Sequence, residues 1–552
     1  MSLTLGDQDK LTLRTAAYGA VSLLAAGGSP HRIATDGSVA LASATGPILA
    51  VEAATQQGEP SLTLADMTHK ITAALDATRR DADPCCNSFA RAADQAVSCQ
   101  RPRQDGNGPV SGRSAMVAAM SGSARDTAGT ISQVRTLYVR RFMMGHGNSG
   151  FSEAGLRRLR EVLARHVESG KIPGLVALVG RGEETHVEAI GTMQHDGGAP
   201  MRRDTIFRMA STSKPVTMAA AMVLLDECRL RLDDPVDEWL PELADRQVLA
   251  RADGPLEDTV PARRPITVRD LLTSTFGLGV DLTLMGSPIM AAVLEQANYN
   301  PETGPAPDPD EWMRSLGELP LAYQPGERWQ YELSHDVLAV LVARVTGQTF
   351  ETFLRDRVFD PLGMKDTGFH VPADKIDRLP PSYAPDPQTG EFHVWDEAAS
   401  GRYSRPPAFQ HGGGGLVSTA DDYHAYFRML LNGGMHGSER ILSRPAVELM
   451  TTNRLTPEQN AARNALATDN VHVSFGQGQQ GGWGFGMAVR TYRGDYASVG
   501  QFGWDGGTGT TVYADPDKQL TGILLTQVGL STPDPARLIH DFWTTLYQAI
   551  DD

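Results

Sequence analysis

The sequence predicts a mixed α/β protein whose main domain begins near residue 148. An amphipathic helix is indicated after Ser152, because apolar residues then recur at spacings of three and four. Two strand-like runs follow, GLVALVGRG over 174–182 and HVEAIGTM over 186–193, and a short polar turn joins them as a hairpin. An almost uncharged helix-like stretch over 216–225 is then expected to be buried. Helices and a β-hairpin therefore belong to the same domain.

Charge and aromatic content divide the chain at about residue 147. Residues 1–147 hold 14 Lys or Arg and 12 Asp or Glu, a net charge of +2. The chain totals are 50 and 66, so 36 and 54 remain for residues 148–552, a net charge of -18. All 7 Trp also follow residue 147, and a segment poor in aromatic residues is poorly equipped to form a core. We therefore predict a poorly patterned N-terminal extension over 1–147 and one main domain over 148–552.

Within the extension, residues 11–27 have the apolar content of a short helix, whereas residues 80–135 lack sustained periodicity and are expected to be disordered or loosely ordered. A secretory signal is the competing interpretation of 11–27. Asp7 and Asp9 offset Lys10, however, where such a signal requires net positive charge. The sequence therefore favours a cytoplasmic location and leaves secretion open.

Composition excludes several classes of protein. The net charge of -16 provides no basic footprint for nucleic acid. No run approaches the roughly 18 apolar residues of a transmembrane helix, and 4 Cys in 552 residues rule out a disulfide scaffold. Cys85, Cys86 and Cys99 lack the paired C-x-x-C spacing of a zinc site, so free thiols are favoured. No metal or cofactor is indicated.

Two glycine motifs resemble dinucleotide-binding loops. GHGNSG over 145–150 matches G-x-G-x-x-G, but Arg140 and Arg141 interrupt the preceding run, where a buried parallel strand should be continuously apolar. A second match, GQGQQG over 476–481, shows how easily 56 glycines generate the pattern. A flexible linker is the favoured interpretation of 145–150.

The segment DTIFRMASTSKPVT over 204–217 contains the strongest candidate for a nucleophile. Ser211 and Lys214 form an S-x-x-K motif, and this spacing on the first turn of a helix brings both side chains to one face. The positive end of the helix and burial both disfavour an ammonium group, so we expect Lys214 to act as a neutral base. A lysine at the start of a buried helix requires such a reason.

Six blocks, in order from Phe151 to the C-terminus, resemble the serine β-lactamase and penicillin-recognising enzyme superfamily, in particular its class C-like branch with the family VIII carboxylesterases. The blocks are FRMASTSKPVT (207–217), LRLDDPVDEWLPEL (230–243), ITVRDLLTSTFGL (266–278), YQPGERWQYELSHDVLAVLVARVTG (323–347), HGGGGLVSTADDY (411–423) and GWDGGTGTTVYADP (503–516). The resemblance implies a β-lactamase-like α/β fold, with an antiparallel sheet flanked by helices and a helical lobe.

The resemblance also implies roles for individual residues. Ser211 would be the acylated nucleophile and Lys214 its base partner. Tyr331 would relay the proton to the leaving group, provided that Lys214 lowers the pKa of the phenol from about 10. The backbone N–H groups of Ser211 and Gly507 would form the oxyanion hole, and Gly506 and Gly507 would allow a close backbone approach.

Two departures from the family pattern bear on the substrate. Leu333 replaces the Asn of the family's Tyr-x-Asn motif, and Ser334 or Asp336 is expected to take part of its role. Trp504-Asp505-Gly506 stands where β-lactamases carry Lys-Thr-Gly, and it resembles the Trp-Gly-Gly of the esterase branch. An indole beside a carboxylate provides no cation for the carboxylate of a β-lactam drug. Both departures favour a neutral ester as substrate.

Two segments are expected to border the acyl pocket. One is the stretch between Gly279 and Pro325, with Met285, Met290 and Trp312, and the other is 476–487. His411 is interpreted as a structural histidine, because the chain lacks the G-x-S-x-G and H-E-x-x-H motifs of other hydrolases.

We therefore predict a cofactor-free serine hydrolase that acts on esters with short or medium acyl chains through Ser211, Lys214 and Tyr331. The same fold leaves open amide chemistry, as in a β-lactamase, a D-amino-acid peptidase or amidase, or an acyltransferase. A non-catalytic penicillin-binding-like sensor is a third possibility. The expected partner is a small-molecule ester or amide, with no nucleic acid, and the oligomeric state is left open.

Overall fold

The computed structural model describes residues 150–296, 307–386, 389, 391–465, 481–530 and 533–551, together with five short strands before residue 54. The chain divides into two compact units, Met1–Ser132 and Gln133–Asp552. The boundary between the two units follows Ser132 and so precedes the boundary expected from composition at 147. The role of residues 1–147 stays a prediction. Residues 80–135, which include Cys85, Cys86 and Cys99, and the glycine motif at 145–149 lie outside the described residues.

The described part of the first unit is a small sheet. Its strands are β1 (Ser2–Leu5), β2 (Thr12–Ala16), β3 (Ser22–Leu24), β4 (Ser38–Ala42) and β5 (Ile48–Ala53). They lie in the order β2-β5-β1-β4-β3, with β1 and β5 parallel. The short helix expected over 11–27 is therefore wrong. The polar–apolar alternation of Thr12-Leu13-Arg14 is the period of a strand, and apolar content alone does not reveal it.

The second unit is built on an antiparallel sheet of eight strands in the order β17-β18-β19-β20-β21-β6-β7-β8. These strands are β6 (Gly174–Arg181), β7 (Glu184–Gln194), β8 (Gly197–Pro200), β17 (Gly481–Trp483), β18 (Ala488–Arg490), β19 (Phe502–Gly506), β20 (Thr510–Asp515) and β21 (Leu520–Thr526). Short pairs complete the strands: β9 (Phe207–Arg208) with β14 (Val417–Ser418), β10 (Gln247–Leu249) with β11 (Thr259–Pro261), β12 (Ser382–Pro385) with β13 (Phe392–Asp396), and β15 (Met435–His436) with β16 (Glu439–Arg440).

Helices cover both faces of this sheet. They are α1 (Glu153–Glu168), α2 (Lys214–Asp226), α3 (Val268–Leu272), α4 (Pro288–Gln296), α5 (Pro309–Glu318), α6 (Leu333–Thr346), α7 (Phe350–Leu354), α8 (Asp360–Leu362), α9 (Ala420–Leu431), α10 (Arg444–Met450), α11 (Pro457–Ala465) and α12 (Pro533–Gln548). Helices α1 and α12 share one apolar core with the sheet, whereas α2, α6 and α9 share the other. This arrangement confirms the predicted α/β class with an antiparallel sheet and flanking helices.

The first predicted elements form as expected. Ser152 caps α1, since its Oγ accepts a hydrogen bond from the Gly155 N–H at 3.0 Å. Strands β6 and β7 then form the expected hairpin. Every residue of β6 is buried, which explains why its sequence is a continuous apolar run rather than an alternating one.

Helix α2 is buried from its first residue, Lys214, through Leu224. Its apolar side chains contact the sheet core and α6, and each fully buried Val, Leu or Met contributes about 1.5–3 kcal/mol to stability. Burial on all sides confirms the expectation for 216–224, whereas Leu225 is half-buried, and it fixes the position of the nucleophile segment that precedes the helix.

None of the described helices alone is long and apolar enough to cross a bilayer, although one bent pair, Leu333–Thr346 with Phe350–Leu362, has the length and apolar composition to do so. The first ten residues of that pair are buried in the core of the second unit.

Candidate active site

Ser211 lies in a 3₁₀ helix, Ala210–Ser213, that leads directly into α2. Ala210 has φ +45°, a left-handed conformation that costs a non-glycine residue about 1–3 kcal/mol and turns the chain sharply before the nucleophile. The turn is held from outside, because the Met209 N–H donates to the Leu416 carbonyl at 2.8 Å. Ser211 itself remains partly accessible. The segment therefore presents its hydroxyl from a fixed position.

The Lys214 amine lies at the centre of a hydrogen-bond network. Its Nζ is 2.9 Å from the Ser211 Oγ, 2.6 Å from the Gly413 carbonyl oxygen, and 3.1 and 2.9 Å from the two carboxylate oxygens of Glu332. The side chain is 0% exposed. The S-x-x-K spacing thus brings Ser211 and Lys214 together as predicted.

The charge of Lys214 differs from the expectation. Burial lowers the pKa of this amine, but the Glu332 carboxylate and Tyr331 together outweigh burial and raise the pKa above its usual value of about 10.5. The expectation from the sequence included burial and the helix end but not a partner carboxylate, and the role of Lys214 as a neutral base stays a prediction. Lys214 rests as an ammonium group.

Tyr331 joins the same network. The indole Nε1 of Trp504 donates a hydrogen bond to its phenolic oxygen at 2.8 Å, and the Lys214 Nζ lies 4.5 Å from the centre of its ring. Burial raises the pKa of the phenol, and Lys214 and Ser211 lower it only in part, so the pKa stays above the usual value of about 10. Lys214 therefore lowers the pKa of the phenol as expected, but burial of the phenol raises it by more.

The backbone around Tyr331 is also fixed. The Tyr331 N–H and carbonyl pair with those of Val280 at 3.0 and 2.8 Å. A Cβ on Gly279 would lie 2.6 Å from the Tyr331 carbonyl oxygen, so only glycine fits beside this strand-like bridge.

Sequence reasoning missed Glu332. It is 8% exposed and has φ +82° and ψ -78°, a backbone conformation that residues other than glycine rarely adopt. A sequence signal existed, because a charged residue at 332 comes directly before a helix whose first ten residues are buried. A buried carboxylate requires a partner, and Lys214 is that partner.

Asp336 is connected to the Lys214 network through the backbone of Gly413. Its Oδ1 accepts a hydrogen bond from the Gly413 N–H at 2.9 Å, and the carbonyl of the same Gly413 accepts from Lys214. The Thr217 hydroxyl donates to the Gly412 carbonyl at 2.7 Å, which ties this glycine loop to α2. Asp336 is fully buried, so these contacts favour a positioning role over the predicted contact with substrate.

The other residues expected near the missing Asn have contacts of their own. Leu333 packs in the core of the second unit, and the Ser334 hydroxyl bonds to the Ser274 hydroxyl at 3.1 Å. Both are buried, which favours structural roles. His411 packs against Phe409 with ring centres 4.1 Å apart and the ring planes tilted by 41°, which supports its structural interpretation.

The end of β19 lies against the nucleophile segment. The hydroxyls of Thr508 and Thr510 donate to the carbonyls of Arg208 and Met209 at 2.6 and 3.2 Å. A Cβ on Gly506 would lie 2.5 Å from the Met209 carbonyl oxygen, so the close approach that the sequence suggested requires glycine here. Gly507 follows and is exposed, and a Cβ on it would have no neighbour within 4 Å among the described residues, so the close approach expected at Gly507 is wrong. Its role as an oxyanion donor stays a prediction.

Trp504 and Asp505 differ in their surroundings. Trp504 is buried against Trp483, with ring centres 4.7 Å apart. The Asp505 carboxylate accepts a hydrogen bond from the Tyr513 hydroxyl at 3.2 Å, and Tyr513 packs on Trp543 of α12. Burial raises the pKa of Asp505 to about 6. Asp505 therefore contacts the α12 side of the sheet, and its predicted contact with substrate stays a prediction.

The segments expected to border the acyl pocket are only partly described. Met290 and Trp312 are buried, and the Trp312 indole donates to the Gln296 carbonyl at 3.1 Å. Met285 is 56% exposed. Residues 297–306 and 476–480 lie outside the described residues. Met290 and Trp312 therefore belong to the core, because their helices α4 and α5 bury them against neighbouring elements. Over the described residues, no group of His, Cys, Asp and Glu is arranged to hold a metal ion.

An antiparallel sheet with helices on both faces, and a serine–lysine pair that starts a buried helix beside a tyrosine, define the class of serine enzymes with the penicillin-recognising fold. The chain belongs to the Beta-lactamase family, whose model matches residues 159–541.

Relatives and solved structures agree with this assignment. The chain is 39% identical to Protein Rv1367c of Mycobacterium tuberculosis, over 65% of this chain and 87% of that protein. It is 31% identical to Esterase EstB of Burkholderia gladioli, over 68% and 92%. The solved structure of EstCE1, described as a hydrolase with promiscuous acyltransferase activity, matches 71% of this chain and 99% of its own with a TM-score of 0.56 and 26% identity. Family members thus include serine hydrolases.

Proposed function

We propose that this protein is a serine hydrolase that cleaves carboxylic esters of short or medium acyl chain through a covalent acyl-enzyme on Ser211. The single observation that carries the proposal is the 2.9 Å contact between the Ser211 Oγ and the Lys214 Nζ, at the start of a buried helix and beside Tyr331. A serine hydroxyl becomes a useful nucleophile only when an adjacent base can take its proton. The Lys214 amine lies within hydrogen-bond distance of the Ser211 hydroxyl.

In the proposed reaction, Lys214 takes the Ser211 proton once its ammonium group has released one, and the Ser211 oxygen attacks the ester carbonyl. The backbone N–H groups of Ser211 and Gly507 stabilise the oxyanion of the tetrahedral intermediate. Tyr331 donates its proton to the departing alkoxide, and the ammonium of Lys214 restores it. Water then attacks the acyl-enzyme by the same proton route, which releases the carboxylic acid.

The charges near the nucleophile support a neutral substrate. Glu332 balances the charge of Lys214, and Trp504 stands where β-lactamases have lysine. The carboxylate of a β-lactam drug would therefore meet no net positive charge from Lys214 and Glu332 and no cation at position 504, which costs binding energy. The sequence similarity to Esterase EstB points in the same direction.

Amide chemistry and acyl transfer are the competing activities. The relatives include a putative D-alanyl-D-alanine carboxypeptidase of Escherichia coli, 23% identical, and Acyltransferase calJ of Penicillium decumbens, 26% identical. The alternative without catalysis is a sensor that is acylated but does not turn over. A substrate panel separates all of these.

The test compares p-nitrophenyl esters of increasing acyl length with nitrocefin and a D-amino-acid amide. We expect burst kinetics on short and medium esters, a mass adduct on Ser211, and a loss of turnover of about 10⁴-fold or more in Ser211→Ala. Ser169→Ala, at the exposed C-terminal end of α1, is the control and should keep turnover. Undiminished ester hydrolysis in Ser211→Ala would contradict the proposal, and nitrocefin hydrolysis at a comparable rate would favour the β-lactamase alternative.

A further inference from the structure

Glu332 is a buried carboxylate in direct contact with the lysine of the site, and the proposed ester chemistry assigns it no step. We propose that Glu332 is a positioning residue that orients Lys214 and sets the basicity of its amine, so that Lys214 can hold the proton it takes from Ser211. The kinetic part of this inference rests on the proposed function, whereas the effect on the protonation of Lys214 does not.

The contacts of the amine suit both of its protonation states. As a neutral amine, Lys214 donates its two N–H groups to Glu332 and to the Gly413 carbonyl, and its lone pair accepts from the Ser211 hydroxyl. As an ammonium group, it donates the third N–H to the Ser211 oxygen. The proton therefore crosses the 2.9 Å between Oγ and Nζ without rearrangement. The O–H bond of Ser211 breaks, the N–H bond of Lys214 forms, and Glu332 balances the new positive charge.

The backbone at Glu332 is held in an unusual conformation. The flanking residues fix it, because Tyr331 pairs with Val280 on one side and the His335 N–H donates to the Glu332 carbonyl at 3.2 Å on the other. Glycine would adopt φ +82° at lower cost, yet the chain places a carboxylate here. Strain at a position of this kind, beside reacting groups, indicates that the side chain has a function.

The other charged and titratable groups around Lys214 do not replace Glu332. His335, also on α6, is neutral, because burial and the nearby Lys214 lower its pKa to about 3. Asp336 accepts from the Gly413 N–H, and the His411 ring lies 3.5 Å from it. Tyr331 presents its ring to the amine at 4.5 Å. Glu332 is thus the carboxylate in direct contact with Lys214 among the described residues.

The direct test is the titration of Lys214 in the full-length protein. The chain has only seven lysines, so ¹³Cε-lysine labelling gives few NMR signals, and the one lost in Lys214→Arg identifies Lys214. In Glu332→Gln, burial is no longer offset by a carboxylate, and we expect the Lys214 pKa to fall by about 1–3 units. Glu242→Gln is the matched control, because Glu242 pairs with Arg344. It should leave the Lys214 titration unchanged.

The kinetic test is the pH dependence of kcat/KM for a p-nitrophenyl ester. In the wild-type protein we expect the rate to keep rising beyond about pH 9, because Lys214 must lose its proton before it can accept one from Ser211. In Glu332→Gln the rise should level off about 1–3 pH units lower, at a smaller plateau, because a less basic amine accepts the proton less readily. Glu332→Asp should restore part of the wild-type profile.

Glu332→Gly separates electrostatics from folding, because it removes the carboxylate and also relieves the backbone. It should shift the Lys214 titration as Glu332→Gln does, while unfolding no more easily than Glu332→Gln. An unchanged Lys214 titration in both variants, or a loss of rate that is uniform across pH, would overturn the inference. A shifted titration in a protein whose Ser211 is never acylated would support the assignment to Lys214 and overturn the proposed function alone.

Discussion

The tyrosine of the candidate site depends on a tryptophan from a distant part of the chain. The Trp504 indole donates to the Tyr331 hydroxyl at 2.8 Å across 173 positions of sequence. In this bond the indole N–H occupies a lone pair of the phenolic oxygen, so the phenolic proton can be donated to another group of the site. Trp504 therefore orients the phenol toward Lys214 and Ser211.

Replacement of Trp504 by Phe is expected to lower kcat for esters about tenfold, because one hydrogen bond worth about 1–1.5 kcal/mol is lost while an aromatic ring stays in place. The measurement is steady-state kinetics on a p-nitrophenyl ester. Trp483→Phe is the control, because its ring packs on Trp504 but its Nε1 has no hydrogen-bond partner within the described residues. Equal losses in both variants would argue that only packing matters.

Single residues also show which features of the site can be predicted from the sequence. Ser211 and Lys214 were predictable because they are one helical turn apart, and that spacing alone brings them together. The charge of Lys214 was not predictable, since it depends on Glu332, which lies 118 positions further along the chain. A pKa depends on every charge within a few ångströms, and the sequence does not reveal those neighbours.

At the scale of elements, α9 packs on the middle of the main sheet through a histidine. The His424 Nδ1 lies 2.9 Å from the Thr521 hydroxyl of β21. A side chain on Gly180 of β6 would overlap the His424 ring, so the glycine leaves room for the imidazole. The pKa of His424 is lowered to about 4, and burial is the largest cause of this shift. The histidine is therefore neutral at pH 7.

This lowered pKa makes stability depend on pH. Unfolding exposes His424 and returns its pKa to about 6.5, so the unfolded chain binds more protons between pH 6.5 and 4. The stabilisation is complete above pH 6.5 and is lost as the pH falls toward 4, by at most about 1.4 kcal/mol per pH unit. In His424→Gln the free energy of unfolding should fall less steeply over this window. Urea unfolding at several pH values measures it, with His393→Gln on the exposed part of β13 as the control. Parallel pH dependences for His424→Gln and wild type would contradict the prediction.

Elements differ in how well the sequence predicted them. The cap at Ser152, the β6–β7 hairpin and helix α2 formed as expected, because local hydrogen bonding and periodicity determine them. Met290 and Trp312 were expected at the acyl pocket and are buried in the core. Their burial depends on which helices they meet, and an apolar residue suits a pocket wall and a core equally well.

At the scale of the whole molecule, the candidate machinery lies within one unit. The nucleophile, the lysine, the tyrosine and the end of β19 all fall within residues 150–551, and the family model matches 159–541. The net charge of -18 calculated for 148–552 also belongs to this part of the chain.

A chain that starts at residue 148 is expected to fold and to keep ester kcat/KM within about twofold of the full-length protein, a change of no more than about 0.5 kcal/mol, since the residues that the family model matches, 159–541, all lie within it. The measurement compares both chains for thermal unfolding and for p-nitrophenyl ester hydrolysis. A shortened chain that folds but loses activity would show that the extension contributes to the site.

The sequence by itself determined the α/β class, the nucleophile motif and the family resemblance, because these depend on periodicity and on residues that are neighbours along the chain. Tertiary structure alone decided the ion pair of Lys214 with Glu332, the indole bond to Tyr331, and the burial of Leu333, Ser334 and Asp336. The physical reason is that proton affinity and accessibility follow from distances in space. Residues more than a hundred positions apart acquire those distances only when the chain folds.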